Sequence, residues 1–189
     1  RPAAGATGRR AGTHAMTRVV VVGLTIVAAL MLQTVVGYQL FGHAIAIDLV
    51  LVVVVATAIF FGPTAGLVSG TIAGLCQDAL SGGVLGVAGL AKTLVGFVAG
   101  VAATQFIVSG VIPRGVVFFA MTWLHGICFL GLYAMIERHG IGHPWRELLV
   151  QSLLNAVVGA VATRTLERGP EWWRRRRYTR RAEGRRLMR

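Results

Sequence analysis

Lysine is all but missing from this chain of 189 residues, acidic side chains are scarce, and its middle has almost no charge of either sign. Of 19 basic residues only Lys92 is a lysine, and aspartate and glutamate together number 7. Between Arg18 and Glu137 the formally charged side chains are Asp48, Asp78, Lys92 and Arg114 alone. That excludes a soluble core with a solvated surface over this stretch, because ordinary soluble domains carry charge on roughly a quarter of their residues. It also excludes nucleic-acid binding there, which needs a cationic face against phosphate. Cysteine is sparse as well: Cys76 and Cys128 both fall inside apolar runs and read as small apolar residues, not as a disulfide. Alternation of apolar and polar positions is missing, which excludes a β-barrel.

What the chain has instead is apolar length, with 55% apolar residues and a mean hydropathy of +0.69. A hydrocarbon core about 30 Å thick needs about 20 residues of helix to cross it. Six runs approach that length, at 19–41, 45–61, 64–80, 85–108, 115–136 and 148–166. Gly62-Pro63 stops the second and starts the third, since proline cannot continue a helix but fits its first turn. Ser81-Gly82-Gly83 reads as the turn after the third. The expectation is an all-α integral membrane protein of six transmembrane helices, with an N-terminal cytoplasmic segment over 1–18, the helical domain over 19–166 and an arginine-rich cytoplasmic tail over 167–189. Met16 is a candidate start, residues 1–15 then being an upstream extension, and the first run has the length of a span and not of a cleaved signal.

Arginine sets the orientation, because short cytoplasmic loops and tails collect Lys and Arg. Arg1, Arg9, Arg10 and Arg18 precede the first run, Arg114 follows the fourth, and eleven arginines lie from Arg164 onward. With six spans these share one face. On the other face His43 and the Ser81 turn are neutral, and Arg138 and Arg146 are balanced by Glu137 and Glu147. Both termini are therefore expected in the cytoplasm.

Two patterns inside the runs bear on function. Gly66, Gly70 and Gly74 recur every fourth residue, one face of a helix, and Gly96 and Gly100 repeat the spacing in the next run. Such stripes let helices approach closely, and are read as a packing surface within the chain or a groove for a partner or a second copy. The second pattern is depth. An ionised side chain at mid-bilayer costs about 2.5–3.5 kcal/mol on insertion scales, so Asp48, Asp78 and Lys92 need partners. Counted from the span ends, all three fall in the outer half with Gln33, Gln77, Gln151 and Asn155, predicting an outer polar zone above a dry cytoplasmic half. Lys92 is expected to pair with Asp78 or Asp48 and lock spans two, three and four together; the functional alternative is a ligand pocket or docking site at that depth. His125, alone in the fifth run, reads as a hydrogen-bonded packing residue.

After Pro170 come Trp172, Trp173, Arg174, Arg175, Arg176 and Arg177, a pattern for anchoring to anionic lipid at the headgroup level or for meeting an acidic partner. No nucleophile with a base, metal-ligand spacing or phosphate-binding loop is visible, so neither enzyme nor cofactor is expected.

Asp48-Leu49, Gly62-Pro63-Thr64-Ala65-Gly66, Gly70, Gly74-Leu75, Asp78, Gly83, Gly86, Leu90 and Leu94-Val95-Gly96 together resemble the bacterial rod shape-determining MreD family. The chain departs from that pattern at Ile47, at Cys76-Gln77 and in its long arginine tail. The resemblance implies a non-enzymatic scaffold of the cell-elongation machinery in the bacterial inner membrane. It would bind MreC and work with RodA, a class B penicillin-binding protein and MreB to organise peptidoglycan synthesis. It also implies a fold similar to the S components of energy-coupling-factor transporters, and a vitamin-binding S component is the alternative. Against that alternative, Ala28 and Ala29 are followed four positions on by Leu32 and Gln33, not by small residues.

Overall fold

The computed structural model describes residues 5–39, 47–82, 84–105, 110–136 and 145–186, with side chains over 16–35, 47–82, 84–105, 110–136 and 145–168. Its helices are α1 (Gly5–Gln39), α2 (Leu49–Phe61), α3 (Pro63–Ser81), α4 (Val87–Gln105), α5 (Val111–Ile136) and α6 (Trp145–Arg186), and no strand occurs among the described residues. Four carry segments long and apolar enough to cross a membrane: Met16–Val35, Val87–Gln105, Val111–Ile136 and Trp145–Arg168.

α2 is shorter than the sequence suggests, because the Asp48 carboxylate accepts a hydrogen bond from Leu51 N–H at 2.9 Å and caps the helix there. At its other end Gly62, with φ of 90°, closes α2 and leads directly into Pro63, the first residue of α3. α5 begins earlier than expected, so that Arg114 stands in its first turn and not in a loop. Proline at position 113 does not oppose this, since the first turn of a helix has no N–H partner to lose.

Short as it is, α2 is the hub. It touches each of the other five helices, and Val50, Leu51, Val52, Val54, Val55 and Ala58 are buried all round it. Toward α1 and α3 it packs against Ile26, Ala29, Leu30 and Ala73. Toward α4 and α5 it packs against Val95, Ala99, Phe118 and Met121. Lipid is as apolar as these side chains, so what holds them is close van der Waals fit and not expulsion of water.

The closest fit joins α3 to α4. A Cβ on Gly66 would collide with the backbone of Gly96, one on Gly70 with the backbone of Lys92, one on Gly74 with Gly89, and one on Gly100 with Pro63. Thr71 and Thr93 hydroxyls add a hydrogen bond of 2.8 Å across the same seam. α5 and α6 pair differently, each using a glycine as a socket: Leu148 fills the space at Gly126, and the Phe118 ring fills that at Gly159. Among the described residues α1 touches only α2 and α3, and it exposes Val19, Leu24, Val27, Met31 and Val35.

Side-chain contacts sort the two ends of the bundle. At one end the Arg18 guanidinium lies 5.7 Å from the Phe61 ring centroid, Gly100 meets Pro63, and Arg114 bonds to Glu167. At the other, the Gln33 side chain accepts from Val50 N–H, Gly74 meets Gly89, and Leu148 meets Gly126.

Candidate functional site

The charges that the sequence places in one layer separate into two groups. Asp78 caps α4: its carboxylate accepts from the N–H groups of Gly86 at 2.8 Å, Ala88 at 3.2 Å and Gly89 at 3.2 Å. These are donors that a helix start leaves unpaired, and an anion satisfies both them and the helix dipole. Gly86, at φ of 101°, bends the chain so that its own N–H faces the same carboxylate.

Lys92 pairs with Asp48. Its Nζ is 2.5 Å from Asp48 Oδ2, and neither residue has meaningful exposure, at 0% and 4%. The same Nζ lies 3.1 Å from His125 Nε2. An ammonium can only donate, so this contact fixes His125 as the neutral tautomer protonated on Nδ1, with Nε2 accepting. The His125 ring in turn stacks on Phe129, which packs against Tyr133, an aromatic file along α5 leading away from the buried centre.

On the other side of Asp48 the chain of bonds continues. Its backbone N–H donates to Asn155 Oδ1 at 3.1 Å, Asn155 Nδ2 donates to Thr122 Oγ1 at 3.3 Å, and the Thr122 hydroxyl donates to Phe118 O at 2.8 Å. Thr122 and His125 are three apart on α5, so the network leaves α5, runs through α6, α2 and α4, and returns to α5. Lys92, Asn155 and Thr122 are each at or within 1% of complete burial. Gln33 lies beside it without bonding to it, its Oε1 accepting from Val50 N–H at 3.3 Å.

Of the residues picked out in the sequence, Asp48, Lys92 and Asn155 thus meet in one network, with Gln33 nearby on the Val50 N–H, while Asp78 stands apart from it. Gly66, Gly70, Gly74, Gly96 and Gly100 all lie in the intramolecular packing of α3 and α4, including the contact of Gly100 with Pro63. The side chains of Trp172, Trp173, Arg174, Arg175, Arg176 and Arg177 lie outside the described residues, as do the turn at His43 and the residues at Glu137, Arg138, His139 and His143. His125 and Thr122 were not legible as members of the site from the sequence, although a count of ten residues up the fifth run puts His125 near the level of Lys92.

A second ion pair was not anticipated. Arg114 of α5, 4% exposed, engages Glu167 of α6 with both guanidinium amines, one at 2.8 Å. The fork of a guanidinium matches the two carboxylate oxygens, which orients as well as attracts. Among the described residues no three His, Cys, Asp or Glu side chains are grouped as a metal ion would need. Chemically, then, the buried network can hold α2, α4, α5 and α6 in one arrangement, its ammonium, carboxylate, amide and hydroxyl groups bonding to one another or to the backbone.

An all-helical membrane protein, built on a short central helix and a self-paired polar centre, is the class these features define. The family model for the rod shape-determining protein MreD matches residues 14–161, and the chain belongs to that family. A role in rod-shape determination and a place in a membrane follow from that membership and from the apolar helices. Comparisons with curated proteins and with solved structures find no match.

Proposed function

We propose that this protein is a non-enzymatic scaffold of the bacterial cell-elongation machinery, binding MreC and helping to organise peptidoglycan synthesis. The observation that carries the reading is the family match across residues 14–161. The chemistry of the buried network supports it: Lys92, Asp48, His125 and Asn155 are spent on one another, so their work is to hold helices together. RodA, a class B penicillin-binding protein and MreB are the further partners, reached through MreC or directly. The orientation in this reading is the bacterial inner membrane with both termini in the cytoplasm. The arginine tail then lies on anionic lipid, where each Arg near the surface contributes about 1 kcal/mol. A homodimer is compatible with it through the exposed face of α1.

The test is co-purification. Tagged protein in mild detergent is expected to retain MreC from the same organism at constant stoichiometry, and the gene is expected to restore rod shape to cells that lack their own copy. Purified protein carrying a vitamin at one equivalent by absorbance and mass spectrometry, with no MreC retained, would overturn the scaffold in favour of an S component.

A further inference from the structure

The buried network does not tie the helices together evenly. Its ion pair, Asp48 to Lys92, joins α2 to α4, both in the body formed by α1 to α4. Its amide to hydroxyl bond, Asn155 to Thr122, joins α6 to α5, both in the hairpin those two helices form. Only two of its bonds cross between hairpin and body: Lys92 Nζ to His125 Nε2, and Asp48 N–H to Asn155 Oδ1. Each half is otherwise held internally by means that owe nothing to the network. The body has the glycine seam of α3 and α4, and the hairpin has the sockets at Gly126 and Gly159 and the bidentate Arg114 to Glu167 pair.

Hairpin and body also meet in an apolar layer, where Phe118 and Met121 pack on Val55, Ala58, Val95 and Ala99. Phe118 lies seven residues before His125 on α5, about 10 Å along the axis toward the arginine-bearing end. The interface therefore has an apolar level near the arginines and, farther away, a mixed level where the two crossing hydrogen bonds lie beside Leu51, Leu124 and Ala156 of the same apolar cluster. Separating the halves at that level breaks two hydrogen bonds and the apolar contacts beside them but leaves the two charges paired with each other. A buried ion pair that had to be broken would forbid such a movement; one that stays whole on a single side permits it.

We infer that the Lys92 to His125 and Asp48 to Asn155 bonds are a latch, and that their release lets the α5–α6 hairpin swing from the body about the Phe118 and Met121 contact. The opened side is the one away from Arg114, where the His125, Phe129 and Tyr133 file lines α5. The closed and open states differ by a hinge motion of packed helices, and a ligand or partner that touches only one of them shifts the balance.

Distance measurement by pulsed electron spin resonance tests this on the full chain in lipid nanodiscs, with Cys76→Ser and Cys128→Ser as background. One label pair, Leu85→Cys in the turn before α4 with Met135→Cys on α5, spans body and hairpin at the latch end, where these side chains are 71% and 84% exposed. A second pair, Thr104→Cys with Ile112→Cys, spans α4 and α5 at the hinge end, both sites being exposed. Removing both crossing bonds with His125→Leu and Asn155→Leu leaves the ion pair untouched. The expected result is a new longer-distance population for the latch-end pair and an unchanged distribution for the hinge-end pair. An unchanged latch-end distribution in protein that retains its helical circular dichroism overturns the proposal, and so does equal broadening of both pairs. Should the double variant not fold, His125→Phe alone, which keeps a ring on Phe129, is read against the same two outcomes.

Discussion

An ammonium at 0% exposure among helices that face lipid has no water to turn to, so the cost of burying Lys92 is offset only by what Asp48 and His125 return. Removing one member of such a pair leaves the other charged and alone. Lys92→Met is expected to lose about 3–5 kcal/mol of stability, read as a lower melting temperature in detergent, and Asp48→Asn added to it is expected to recover part of the loss. MreC retained per folded molecule, measured alongside, separates folding from docking: a fall in retention beyond the fall in folded protein would give Lys92 a role in partner binding. Asp78→Ala, which strips three N–H groups at the start of α4 of their acceptor, is expected to cost about 1–2 kcal/mol. Because Asp78 does not bond to Lys92, the two losses should add in the double variant, and a large coupling energy would contradict the separation of the two groups. Depth along a span can be counted in a sequence, which is how Asp48, Lys92, Gln33 and Asn155 could be put at one level. Direction around the helix axis cannot be counted without knowing the neighbours. Asp78 has the right depth, but its carboxylate goes to the N–H groups at the start of α4, and His125 became legible only once α5 was seen beside α4.

Helices that pack through glycine are sensitive to one methyl group. Gly66→Ala puts a Cβ into the Gly96 backbone, which cannot move aside as a side-chain tip would, so a loss of about 1–3 kcal/mol is expected from overpacking alone. Gly23→Ala is the control on α1, where nothing lies within 4 Å of the new Cβ, and its melting temperature should be unchanged or slightly higher. Equal effects of the two would mean that the seam between α3 and α4 is looser than its contacts indicate. Glycine spacing announces such a seam in sequence, while which helix fills it is a matter of tertiary order. The six helices were legible from apolar length and from Gly62-Pro63, but α2 shows where length misleads. Its 13 residues rise about 20 Å, short of a hydrocarbon core of about 30 Å. Such a helix survives because other helices surround it along most of its length. The sockets at Gly126 and Gly159 escaped the sequence because each is a single glycine facing a large side chain, with no repeat to mark it.

Seen whole, the bundle is asymmetric in charge from end to end, and that asymmetry is expected to decide which way it enters the membrane. Arg18, Arg114, Arg164 and Arg168 are carried toward one end, where Arg114 is held by Glu167, while Arg146 begins α6 at the other beside Glu147. Positive charge in short segments near the span ends is retained in the cytoplasm, so the first end is expected inside. Four cations stand at that end without any contribution from the residues after Arg168. Truncation after Arg168 is therefore expected to leave the protein inserted with unchanged orientation, read by labelling single cysteines with a membrane-impermeant thiol reagent in whole cells, in a background without Cys76 and Cys128. Cysteine at Leu85 should react before lysis, and cysteine at Ile112 only after it. The tail's contribution, if it rests on anionic lipid, appears in a different measurement: the peptide of residues 169–189 should bind vesicles containing anionic lipid and release as salt rises past the range where surface charges are screened. Inverted labelling in the truncated protein would show that the tail, not the bundle, sets the orientation, and would move the topological signal from the folded helices to the last twenty-one residues of the chain.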